Sequence, residues 1–241
     1  MAIKRAALLI LGLAGSVFLS TLLYISAEST FMSRQLEKIP TEPFFNSSMT
    51  AQREIKLPYA VPGTTLIAEK ISAYDGPFCE DGTDREVVNI SALHVKNVGT
   101  KEVSNAAIFL STEDTGLAFY GEHIPPGATV VLLEITAAPF QEGSFSTCTG
   151  SQMIDLGDSV LNMITITDKS LGTVIVTNIS DHPLKNLRLY YKAWLSPPDV
   201  YVGGISYRLD IPLLMPGQTA YVYPNHYASG YSRVVSATAD R

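Results

Sequence analysis

Charge is scarce in this sequence. Asp, Glu, Lys and Arg make up 17% of its 241 residues, and 23 acids against 17 bases leave a formal net charge of −6. No basic stripe is available to neutralise phosphates, which argues against a nucleic-acid partner, and the same deficit disfavours a surface that binds anionic lipid. After the first 27 residues no second apolar run of spanning length follows. After Glu37 no stretch of ten or more residues sustains a helical period. The four histidines, His94, His123, His182 and His226, include no pair at metal-ligand spacing, and neither a metal nor a cofactor is implied. No Gly-x-Ser-x-Gly elbow, phosphate loop, dinucleotide fingerprint or His-Glu-x-x-His run occurs, so the sequence singles out no catalytic residues.

What is present begins at the N-terminus. Lys4 and Arg5 precede an uncharged run from Ala6 to Ala27, long enough at about 1.5 Å per residue to cross the roughly 30 Å hydrocarbon core as a helix. The reading is a cytoplasmic n-region over 1–5 and a single-pass signal-anchor over 6–27, which places 28–241 outside the cytoplasm. Ile25-Ser26-Ala27 also approximates a cleavage site, and secretion after cleavage near Ala27 is the alternative. Pro40, Pro43, Pro58 and Pro62 mark 28–63 as a stalk or lead-in segment.

The remainder is organised around a stretch that occurs twice. Leu93–Leu110 recurs at a constant offset of 81 as Val174–Tyr191. Val95 falls on Val176, Asn97 on Asn178 and Asn105 on Asn186, while the apolar positions keep their character. Pro126-Gly127 recurs at Pro216-Gly217, an offset of 90, so the second copy carries nine extra residues between these landmarks. The Pro197 to Gly204 loop is the natural place for them. Val87–Val98, Thr129–Ile135, Thr173–Thr177 and Gly204–Ile211 are rich in β-branched or alternating apolar residues and read as strands. The small, polar stretch Thr147-Cys148-Thr149-Gly150-Ser151 reads as a boundary. The expected fold is all-β, with one sandwich over 64–150 and a second over 151–241.

Val95-Lys96-Asn97-Val98-Gly99 and Val176-Thr177-Asn178-Ile179-Ser180, each followed by an alternating strand and a later Pro-Gly turn, resemble the extracellular immunoglobulin-like modules of bacterial surface proteins, in particular the FxLYD type. Leu187-Arg188-Leu189-Tyr190 comes near that signature, with Leu for Phe and Tyr191 for Asp. The resemblance implies two tandem immunoglobulin-like β-sandwiches behind the N-terminal helix, an extracellular setting and no shared catalytic residues.

Three places stand out as candidate sites. Cys79 and Cys148 are the only cysteines, and in an exported chain they are expected to form a disulfide. The acids Glu80, Asp81, Asp84 and Glu86 lack the spacing of a calcium loop and read as solvated. Tyr221, Tyr223, Asn225, His226, Tyr227 and Tyr231 form the most suggestive surface, because tyrosine offers a flat apolar face and a hydroxyl suited to glycan or peptide contacts; the alternative is a hairpin whose tyrosines pack inward. Trp194 reads as a strand-end core anchor. The expected role is a non-enzymatic, surface-displayed protein for adhesion or envelope-complex assembly, anchored through its N-terminal helix and meeting a protein partner at the cell surface. The alternative is an extracellular glycan- or peptide-binding or sensor module using the Tyr-rich end. No small-molecule class is picked out.

Overall fold

The computed structural model describes residues 54–112, 115–154, 159–169 and 172–240. The expected n-region, the 6–27 anchor and the lead-in up to residue 53 lie outside them. Among the described residues no helix is long and apolar enough to cross a membrane. Thirteen strands are described: β1 (Tyr59–Ala60), β2 (Leu66–Phe78), β3 (Arg85–Asn97), β4 (Val103–Ser111), β5 (Gly116–Ile124), β6 (Thr129–Leu133), β7 (Thr147–Ile154), β8 (Ile164–Lys169), β9 (Thr173–Asn178), β10 (Leu184–Leu195), β11 (Val200–Leu214), β12 (Thr219–Val222) and β13 (Ser232–Asp240). The chain is all-β, as its sequence implies.

The repeat is visible strand for strand. β2-β3-β6 and β5-β4-β7 are the two layers built by the first copy, and β8-β9-β12 and β11-β10-β13 are their counterparts in the second. Between the first pair lie Leu66, Leu93, Val95, Ile108, Leu110, Phe119, Val130 and Leu132, and between the second Val174, Val176, Leu187, Leu189, Ile211 and Leu214. Burying each such side chain contributes about 1.5–3 kcal/mol.

The repeated asparagines explain why the letters recur. Asn97 is fully buried and its Nδ2 donates to the carbonyls of Lys101 (2.9 Å) and Ile124 (3.0 Å), while its Oδ1 accepts from the Gly99 amide at 2.9 Å. Asn178, also fully buried, donates to His182 (2.8 Å) and Leu214 (2.9 Å) and accepts from the Ser180 amide at 2.9 Å. These partners keep the same two offsets, 81 from Lys101 to His182 and 90 from Ile124 to Leu214. A buried amide that satisfies one strand-end carbonyl, one turn carbonyl and one turn amide has few substitutes. Asn105 and Asn186 diverge instead: the first accepts from the Tyr120 hydroxyl, and the second donates to Asp240 at 2.7 Å.

Two expectations are corrected. The boundary at 150/151 falls inside β7, which pairs along its length with β4. Its polar look arises because Thr147, Thr149, Ser151 and Met153 face outward, while inward Gly150 leaves room for Val61, where an added Cβ would lie 2.2 Å from Val61 Cγ1. The repeats are also not separate bodies. β6 and β11 pair in parallel, Tyr201 with Val130 and Val202 with Val131, so β1-β2-β3-β6-β11-β10-β13 is one seven-stranded sheet and residues 51–241 form one unit. On β6, Val130 and Leu132 face the first core, whereas Val131 and Leu133 join a third cluster with Phe78, Val87, Ile90 and Val200. Tyr207 packs against both that cluster and the second core, so the two cores lie on opposite faces of the shared sheet.

Candidate functional site

The nine extra residues build the junction. Offsets of 81 on β10 and 90 on β11 put residues 193–205 where the first copy has 112–115. They lengthen the β10–β11 hairpin and bring Tyr201 and Val202 onto the edge of β6. Just beyond that pairing, the chain passes through a gap that admits only glycine. At Gly203, with φ +88°, an added Cβ would lie 2.1 Å from Cys79 Sγ, and at Gly204 one would lie 1.9 Å from the Tyr120 carbonyl oxygen.

Buried charge surrounds this crossing. A 3₁₀ turn, Cys79–Asp81, follows β2 and delivers Glu80, whose carboxylate accepts from the amides of Gly204 (2.7 Å), Ile205 (3.3 Å) and Leu133 (3.3 Å). From β10, fully buried Lys192 donates through Nζ to the carbonyls of Gly203 (3.1 Å), Gly204 (2.5 Å) and Ile205 (2.7 Å). Glu122 of β5 accepts from the Ser206 amide at 3.0 Å. Burial pulls the Lys192 ammonium down to about 8 against the opposing pull of Glu80 and Glu122, and it raises Glu80 against its amide donors and Lys192. Glu80 and Glu122 of the first copy hold the backbone of Gly204, Ile205 and Ser206, and Lys192 holds residues 203–205 from the second, so this network tethers one repeat to the other.

Beside the tether lies a groove of about 270 Å³, whose lining includes Tyr74, Cys79, Asp84, Trp194, Tyr207, His226 and Tyr231. Asp84, from the acidic loop of the first copy, accepts the Tyr207 hydroxyl at 2.7 Å and bonds through its other oxygen to His226 Nδ1. The His226 and Tyr207 rings stack at 4.7 Å with 7° between their planes. Burial and the Asp84 carboxylate hold the Tyr207 phenol protonated well above its ordinary range, and burial takes the Tyr74 phenol to about 12. Burial, then Glu80, pushes the Cys79 thiol up to about 12, which leaves it a neutral thiol rather than a nucleophile. The arrangement offers aromatic faces, a carboxylate and an imidazole.

The expected site residues disperse. His226 and Tyr231 line the groove. Tyr227 is a core residue: 9% exposed, hydroxyl on Asp168, ring edge against Tyr191 at 5.3 Å. Asn225 contributes its backbone carbonyl to the Tyr191 hydroxyl. Tyr221 and Tyr223 are exposed on and just after β12. The expected disulfide is corrected: Cys79 packs in the junction cluster and Cys148 in the first core, both as free, buried thiols. Glu80 and Asp84 turn to different partners, a backbone crossing and a His-Tyr stack, instead of to shared solvent. Tyr207 and Lys192 were invisible as site residues, since each sits in a strand and meets its partners only through pairing of distant segments. The adjacent glycines at 203 and 204 were the available signal. In comparisons with known proteins, no family model and no curated protein matches this chain.

Proposed function

We propose that this is a non-enzymatic recognition protein of the cell surface, anchored by its N-terminal helix, whose two immunoglobulin-like sandwiches act in adhesion or in assembly of an envelope complex. The observation that carries this reading is the junction. The insertion, the Glu80–Lys192 network and the parallel β6–β11 pair hold two repeats in fixed relation, and the only thiol in the groove between them is held neutral. A preorganised surface of this kind loses little entropy on binding.

The groove favours a glycan or peptide as the bound species, because exposed Tyr231 supplies a flat aromatic ring and the Asp84–His226 pair supplies polar contacts beside it. The test is binding of the full chain to arrayed glycans and extracellular peptides. Tyr231 is 64% exposed, so Tyr231→Ser is expected to lower binding at least tenfold with the melting temperature unchanged. Unaltered binding would remove the groove from the recognition surface.

A further inference from the structure

The charge of the junction groove is one-sided. Asp84 reaches it from the acidic loop of the first copy, and among the described residues no Lys or Arg lines it. The guanidinium groups nearby are engaged elsewhere. Arg85 bonds to Asp81 at 2.9 Å and lies over the Phe78 ring at 4.6 Å, and Arg233 lies over the Trp194 ring at 3.2 Å.

Its hydrogen-bonding capacity leans the same way. The Tyr74 hydroxyl already donates to the Pro77 carbonyl at 3.0 Å and the Tyr207 hydroxyl to Asp84 at 2.7 Å. The Asp84 side chain stays 33% exposed, and Tyr207 and His226 take up one bond on each of its oxygens. An ionised carboxylate has about four lone-pair sites, so Asp84 still offers a charged acceptor. The field around it has one sign: the Tyr74 phenol is raised by burial first, then by the Cys79 thiol and the carboxylates of Glu86, Asp84 and Glu80. Carboxylates that oppose a phenolate there favour a cation in the same place.

Beside the carboxylate the wall is apolar, with Pro77, Leu195 and Val202 next to the exposed ring of Tyr231. A basic side chain has the matching two-part character, a methylene stem that packs along apolar surface and a head that donates to a carboxylate. A neutral sugar lacks the charge, and an amino sugar lacks the stem. We propose that the groove binds a lysine or arginine side chain of a partner peptide, its head on Asp84 and its stem against Leu195, Val202 and Tyr231. This rests on the groove being the recognition surface, and it names what the groove selects.

Trp194 is the only tryptophan and lines the groove, so its emission reports occupancy. The test titrates the full chain with capped Gly-Ser-Lys-Ser-Gly and Gly-Ser-Arg-Ser-Gly, and with the same peptides carrying acetyl-lysine or citrulline. The charged peptides are expected to half-saturate at about tenfold lower concentration than their neutral counterparts. Asp84→Asn keeps an acceptor for Tyr207 and suits the φ of +52° at this position, and it should abolish that preference. Equal binding of charged and neutral peptides, or a preference that survives Asp84→Asn, would overturn the proposal, as would no saturable response to either charged peptide by about 10 mM. The two readings fail separately. Neutral ligands that bind as well as charged ones and are lost with Tyr231→Ser leave the groove a recognition surface without a cation site, whereas binding indifferent to Tyr231→Ser removes the groove itself.

Discussion

Asn97 and Asn178 show how much architecture one side chain can carry. Each is an amide with no exposure whose hydrogen bonds close the end of a strand onto a turn, with partners at corresponding positions. Removing either leaves a buried strand-end carbonyl, a turn carbonyl and a turn amide without their side-chain partner, a loss set by desolvation of the orphaned groups rather than by the bonds alone. Asn97→Ala and Asn178→Ala are each expected to destabilise the chain by about 2–3 kcal/mol in urea unfolding. A cost under half of that for either would mean the repeat is held by its apolar pairs alone. Both asparagines were legible as important in the sequence, because they recur at a fixed offset. Tyr227 was legible only as a tyrosine: whether its ring faces water or Tyr191 depends on a hairpin end that local pattern does not specify.

Among the elements, the lengthened β10–β11 hairpin decides the structure. Its two glycines are required by opposite neighbours, a thiol on one side and the Tyr120 carbonyl on the other. Gly204→Ala would force a methyl group against backbone that cannot swing aside, and we expect a loss of about 3 kcal/mol in chemical unfolding. A change within 0.5 kcal/mol would show that the crossing is looser than its geometry implies. The strands read from β-branched runs, such as β3, β6 and β9, exist close to their expected limits. β5 and β7 were not read, for a physical reason. Their inward positions include Gly121 and Gly150, whose missing side chains make room for Leu132 and Val61, so the alternation that marks a strand is absent from the letters.

At the scale of the whole molecule, one sheet running through both repeats should make them unfold together. Replacing residues 193–205 with the four residues found at 112–115 removes the pairing to β6, the glycine crossing, Trp194 and Tyr201 at the rim of the first core while keeping every fully buried residue of both cores. The native chain is expected to unfold in one transition by circular dichroism and the shortened chain in two, since what still joins the repeats is only a few side-chain contacts, Asp84 with Tyr207 and His226, Glu122 with Ser206 and the His123–Tyr190 stack. A single transition in the shortened chain would place the coupling elsewhere.

The sequence by itself determined the class, the repeat, the core faces of its most regular strands and the position of the insertion, because burial and turn chemistry act over a few residues and leave a period behind. Only the tertiary structure decided what the insertion does. Pairing of β6 with β11, the burial of Lys192 and Glu80 around a glycine crossing and the meeting of Asp84 with His226 join residues far apart in the chain, and no local pattern encodes which edge a strand will choose.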